Sequence, residues 1–177
     1  PVGREAFVRC QAERAADGRE GLSPWSLFSL VADDDTLVGL DRLCRTLHVL
    51  NDPLAGDDAS AGKGLLFLNV HGRLLPAVAE DHGRAFRLIL EVLGRTPADI
   101  VIETPASACA DPRLLGFVLS NYRLNGFRVA ANLASPADLG ALLQVVRPNF
   151  VKLDVRHFSD AEAIRAFTVR AREEGVR

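Results

Sequence analysis

Apolar runs at about residues 65–70, 99–103, 127–131 and 150–154 alternate with segments of helical length. Runs this short and this uniformly apolar read as strands buried on both faces, the pattern of a parallel sheet. Helices are expected between and after them, at roughly 82–93, 111–124, 136–146 and 159–174, with Asp81, Asp111, Ser135 and Ser159 as caps. Upstream, Val2 to Cys10 alternates as a strand, and the polar, Gly-containing stretch 12–21 reads as a connection. Ser23-Pro24 has the form of an N-cap with proline in the first turn, opening a short helix to about Ala32. Asp35 is the expected cap of the next helix, in which Leu37, Leu40, Leu43, Leu47 and Leu50 keep helical spacing. Residues 51–63, rich in Gly, Asp and Ala, are the expected mobile loop. The whole of 1–177 reads as one domain of about five strands joined by right-handed βαβ units.

Polar residues gather where these strands end. Glu5 lies in the first strand, Asn69 in LLFLNV, Glu103 ends DIVIE, Asn132 follows FRVAA, and Lys152 and Asp154 close NFVKLD. An α/β barrel builds its functional face from strand C-termini. A closed barrel has about eight strands, so a TIM-like (β/α) barrel incomplete at the C-terminus is expected.

Composition narrows the class. The chain has 48% hydrophobic and 25% charged residues and a net charge of −2, which gives no support for a duplex-binding basic face. No apolar run reaches the ~18 residues of a membrane span, so direct membrane insertion is not expected. Cys10, Cys44 and Cys109 are widely spaced and odd in number, which fits reduced thiols in a cytoplasmic protein. The chain lacks Met and begins at Pro1, so it is expected to be a fragment of a longer multidomain protein.

Glu5, Asn69 and Glu103 offer oxygen atoms from three strands, a set suited to a hard cation such as Mg²⁺ or Mn²⁺. A lone strand Glu is more often an edge or rim residue, whereas an amide inside LLFLNV needs partners. Lys152 and Asp154 share one strand face. A strand lysine is costly unless paired, so Lys152 reads either as an ion pair with Asp154 or Glu103, or as a lysine holding a water or a phosphate.

Six motifs in order carry a resemblance. EAFVR at 5–9, Pro24 with its helix, LNV at 68–70, VIE at 101–103, GFRVA at 126–130 and VKLD at 151–154 resemble the EAL domain, with Phe7 in place of the signature's Leu. The EAL domain is the cyclic di-GMP phosphodiesterase domain of bacterial signalling proteins. The resemblance implies a barrel binding cyclic di-GMP at its C-terminal face. In active members two divalent metals activate a water against one phosphodiester. It further implies that Glu5, Asn69 and Glu103 match metal ligands and that Arg9 matches a phosphate contact. Lys152 matches the catalytic lysine near the water, with Asp154 beside it on the ligand-facing side.

The departures fall on the same chemistry. The family's paired aspartates fall on Asn132-Leu133; Asn132 keeps one neutral oxygen and Leu133 none. The following loop lacks its glycines, the second Glu of the ExTE motif falls on Ala106, and an early acidic position falls on Ala32. EEGVR at 173–177 imitates the late AEGVE strand, but its spacing from Lys152 suits the end of the preceding helix. The resemblance therefore implies a catalytically degenerate EAL domain with Lys152 vestigial and Mg²⁺ or Mn²⁺ weak or absent. It would be a cyclic di-GMP receptor or an interaction module working with other domains of its polypeptide or with a signalling protein. A residual metal-dependent phosphodiesterase and a nucleotide-independent scaffold are the alternatives. NFVKLDV, left at a sheet edge, is expected either to self-associate into a homodimer or to be covered by further strands.

Overall fold

The structure is a computed structural model that describes residues 3–14, 18–52, 64–157 and 161–177. In chain order the elements are β1 (Gly3–Ala6), β2 (Cys10–Arg14), β3 (Gly18–Leu22), α1 (Pro24–Leu30), α2 (Asp34–Leu50) and β4 (Leu65–Asn69). They continue with α3 (Leu74–Ala77), α4 (Arg84–Val92), β5 (Ile100–Thr104), α5 (Pro112–Leu124), β6 (Arg128–Leu133), α6 (Asp138–Val145), β7 (Phe150–Leu153) and α7 (Ala161–Glu173). Five strands form one parallel sheet in the order β1-β4-β5-β6-β7. This is a partial (β/α) barrel, as the alternation of apolar runs and helices predicts.

Strand periodicity sorts the side chains onto two faces. One set, Leu66, Leu68, Ile100, Ile102, Val129, Ala131 and Leu133, packs with the helices in the main core. The alternate set, Phe67, Val101, Ala130 and Phe150, forms a smaller cluster on the concave side, where Phe67 and Phe150 meet edge-on at 5.2 Å. Leu133 therefore lies in the helix-side core. It is one residue out of phase with the concave face and adds no side chain to the site.

Several local expectations shift. Residues 12–21 are not a simple connection: β2 and β3 pair antiparallel, Cys10 with Leu22 through Arg14 with Gly18, and β1 is shorter than Val2–Cys10. Asp33, not Asp35, caps α2 by accepting from the Thr36 amide at 2.7 Å. Ser23 and Asp111 cap as predicted. Asp81 does not cap α4: Gly83 precedes that helix at φ 97, where an added Cβ would come within 2.8 Å of the Tyr122 ring. Nor does Ser135 cap α6, since its own amide donates to Asp138. Ser159 and most of the expected mobile loop, residues 53–63, lie outside the described residues.

In α2 the expected apolar face is rotated. Leu43, Leu47 and Leu50 are exposed, while Leu37, Asp41, Arg45 and Val49 are buried. The outer side of β7 is also not bare. The Val151 amide donates to the Arg177 carbonyl at 2.8 Å, and the Arg177 amide to that of Asn149 at 3.1 Å. As read from the spacing, α7 ends at Glu173, and EEGVR forms its terminal turn, with Gly175 at φ 74. The thiols of Cys10, Cys44 and Cys109 are free. Among the described residues no helix is long and apolar enough to cross a membrane.

His82 is 2% exposed and sits between the Phe117 and Tyr122 rings. Burial pushes its pKa below the ordinary 6.5, because the charged ring loses its hydration. A base depressed in the fold binds fewer protons there than in the unfolded chain. Its stability contribution is therefore full above 6.5 and is lost as pH falls from there toward the folded value. Urea titrations between pH 7 and 5 are expected to show falling stability, with a shallower decline in His82→Gln. An unchanged slope in that variant counts against the assignment.

Candidate functional site

The concave column of each strand turns polar at its C-terminal end. Phe67 gives way to Asn69, Val101 to Glu103, Ala130 to Asn132 and Phe150 to Lys152, each two residues further along. The register pairs Asn69 with Glu103 and Asn132 with Lys152, and sets Glu5 beside Phe67. This stagger, inherent to a curling sheet, brings residues from distant parts of the chain to one rim.

At the centre is an ammonium held by two carboxylates. Lys152 Nζ donates to Glu5 Oε2 at 2.8 Å and to Glu103 Oε2 at 2.5 Å. The same nitrogen lies 5.0 Å from the centroid of the Phe67 ring. Asn69 Nδ2 donates to the other Glu5 oxygen at 3.0 Å. Of the two ion-pair partners read for Lys152 in the sequence, Glu103 is found. Asp154 instead holds Arg156 through both carboxylate oxygens. Asn69 is exposed rather than buried, and Glu5 rather than a core group is its partner.

These contacts shift both charges. Burial works to raise the Glu5 pKa, but the hydrogen bonds from Lys152 and Asn69 and the Lys152 charge outweigh it and hold the group below 4.5. Burial likewise works to lower that of Lys152, and the bonds and charges of Glu103 and Glu5 carry it above 10.5. Glu5 and Lys152 are thus both ionised near neutrality.

Beside this triad opens a cavity of about 780 Å³, whose lining includes Glu5, Asn69, Glu103 and Asn132. That volume is typical of a small-molecule site. Sequence reasoning missed its opposite wall, supplied by Phe28 of α1, by Asp41, Cys44, Arg45 and His48 of α2, and by His71 and Arg73 after β4. Phe28 and His71 stack with centroids 4.9 Å apart and planes 8° from parallel. Asp41 fixes this wall: it accepts from the His71 amide at 3.1 Å and pairs with Arg45 at 2.7 Å. Asp41 and Arg45 stand four residues apart on α2, so their spacing was the available signal. Arg9 is exposed in the segment after β1 and is not among the cavity-lining residues, nor is Asp154.

The donor set fits a divalent cation poorly. Among the described residues no group of three or more His, Cys, Asp or Glu side chains is arranged to hold a metal. Both Glu5 oxygens and one Glu103 oxygen are already engaged, and the Asn69 amide turns its nitrogen toward Glu5.

Comparison with solved structures then places the architecture. The chain superposes on the Xanthomonas citri FimX EAL domain in complex with c-di-GMP with a TM-score of 0.72 and 21% identity, over 97% of this chain and 68% of that one. The fold is that of an EAL domain. The EAL-containing YkuI protein of Bacillus subtilis, in complex with substrate c-di-GMP and calcium, matches with a TM-score of 0.69 and 22% identity, over 99% of this chain and 43% of that one. Klebsiella pneumoniae BlrP1, in a manganese/c-di-GMP complex, matches with a TM-score of 0.66 and 23% identity, over 88% and 41%. The chain thus spans less than half the length of YkuI and BlrP1. No protein-family model matches the sequence, and no curated protein matches it. Within this EAL fold, the rim of Glu5, Asn69, Glu103, Asn132 and Lys152 stands at the strand C-termini.

Proposed function

We propose that this chain is a cyclic di-GMP-binding module of the EAL type whose hydrolytic set is degraded, serving as a receptor or docking domain in a cytoplasmic signalling protein. One observation carries the reading. The rim that would gather divalent cations is closed by the Lys152 ammonium, yet a cavity of about 780 Å³ persists beside it. Its apolar wall and the stacked Phe28–His71 pair suit a planar base. Solved EAL structures in complex with this dinucleotide support the choice of ligand. The binding residues proposed are Glu5, Asn69, Glu103, Asn132 and Lys152, with Arg9 and Asp154 at the periphery.

Two carboxylates face a ligand with two phosphodiesters, so one ammonium leaves the triad net negative. Binding is therefore expected to be modest. Isothermal titration with cyclic di-GMP should give a one-site isotherm of similar affinity with Mg²⁺ and with EDTA. Heat absent under both conditions would reject the receptor reading and favour the nucleotide-independent scaffold. Heat only with Mg²⁺ would favour the residual phosphodiesterase.

A further inference from the structure

We infer that α1 is a lid over the cavity and that Arg73 is the positioning residue that latches it. Between β1 and α2 the chain leaves the main sheet: β2 and β3 pair with each other and not with the five parallel strands. The helix that follows them turns most of its surface outward. Pro24, Ser26, Ser29 and Leu30 are exposed, and Phe28 is the one buried side chain among those described in α1. Pro24, Phe28 and Ser29 nevertheless line the cavity. A helix that walls a cavity while burying so little is held by few contacts, and such segments open at low free-energy cost.

Those contacts can be named. On the lid side are the Phe28 ring and the carbonyl of Val31, where α1 ends. On the barrel side is the turn after β4, in which His71 stacks on Phe28. Arg73 Nη1 donates to the Val31 carbonyl at 2.9 Å, and Nη2 donates to Asp34 of α2 at 2.9 Å. Asp34 thus holds the guanidinium while it grips the end of α1, where an arginine can satisfy a helix-terminal carbonyl. The turn itself is anchored. The His71 amide donates to Asp41, the Arg73 amide to His71 Nδ1 at 3.3 Å, and Leu74 and Leu75 behind it are buried. The joint to the lid is solvent-exposed by contrast, with the Arg73 and Asp34 side chains 42% and 60% exposed. Exposed pairs are weak, so this latch can open and close as a ligand enters and leaves.

The ligand in this inference rests on the proposed nucleotide site, so the latch is tested first without nucleotide. Hydrogen exchange of residues 24–31 is expected to quicken in Arg73→Met, with α5 and the parallel sheet unchanged. Stopped-flow mixing with a fluorescent cyclic di-GMP then reads the rates. A latch acts on opening and not on the contacts beneath it. Its loss should therefore raise association and dissociation together by about fivefold, equivalent to roughly 1 kcal/mol, and leave their ratio unchanged. Arg73→Lys, whose single ammonium lacks the fork that reaches two partners, should fall between wild type and Arg73→Met. Unchanged exchange over residues 24–31 in Arg73→Met overturns the proposal. So does faster dissociation with association unaltered, which would make Arg73 a direct ligand contact. If wild type binds no cyclic di-GMP, the nucleotide reading fails and the exchange result alone decides the lid.

Discussion

Incubated with cyclic di-GMP and either Mg²⁺ or Mn²⁺, the chain is expected to leave the dinucleotide intact. Metal-assisted phosphodiester cleavage places one cation to activate the attacking water and a second to stabilise the leaving oxygen. Here the rim offers two acidic ligands, and one ammonium spans both. Asn132 contributes a neutral oxygen at most. Leu133 has no ligating atom and is folded into the helix-side core. Losing metal-held charge at both oxygens removes several kcal/mol of barrier lowering, and each ~1.4 kcal/mol is about tenfold in rate. The expected deficit is therefore a few orders of magnitude. Ion-exchange chromatography after overnight incubation reads it directly. A linear dinucleotide product at the rate of an ordinary hydrolase would reject the degraded-site reading, whatever the binding data show.

How much of this was legible in the sequence depends on what each residue answers to. β4, β5, β6 and β7 fall within about two residues of the apolar runs, because strands buried on both faces announce themselves by composition. Glu103 stood out because a carboxylate directly after Ile100, Val101 and Ile102 has no local reason to be there. Its partner was harder to identify. Lys152 is 49 residues away, and only the stagger between strands decides that it reaches Glu103 and Glu5 rather than Asp154. The β2–β3 pair escaped because its strands are polar and Gly-bearing, without the alternation that marks a strand half-buried on a core. The face of α2 was misread for another reason. Hydrophobic periodicity counts leucines, and Leu43, Leu47 and Leu50 form a regular stripe that the fold leaves exposed. The buried stripe, Leu37, Asp41, Arg45 and Val49, has an acid and a base at its centre. A pair that neutralises itself inside the protein looks, in sequence, like two surface charges.

That pair carries the largest expected effect on stability. Asp41→Ala should destabilise the chain by about 3–5 kcal/mol, the range for stranding one member of a buried ion pair. The side chains of Asp41 and Arg45 are 3% and 5% exposed and 2.7 Å apart. The guanidinium lies over the Phe86 ring at 4.8 Å, so its charge is left against an apolar ring once its partner is gone. Against a total stability of 5–15 kcal/mol for a typical domain, the loss is large. Arg45→Met in the Asp41→Ala background should recover much of it, because an apolar side chain of similar length removes the stranded charge. The loss should extend to the cavity, since Asp41 also accepts the His71 amide and His71 stacks on Phe28. The double variant is therefore expected to regain its urea midpoint while still binding cyclic di-GMP more weakly than wild type. A loss below about 1 kcal/mol in Asp41→Ala would mean that Arg45 is compensated by groups other than Asp41, and the account of this wall would fall with it.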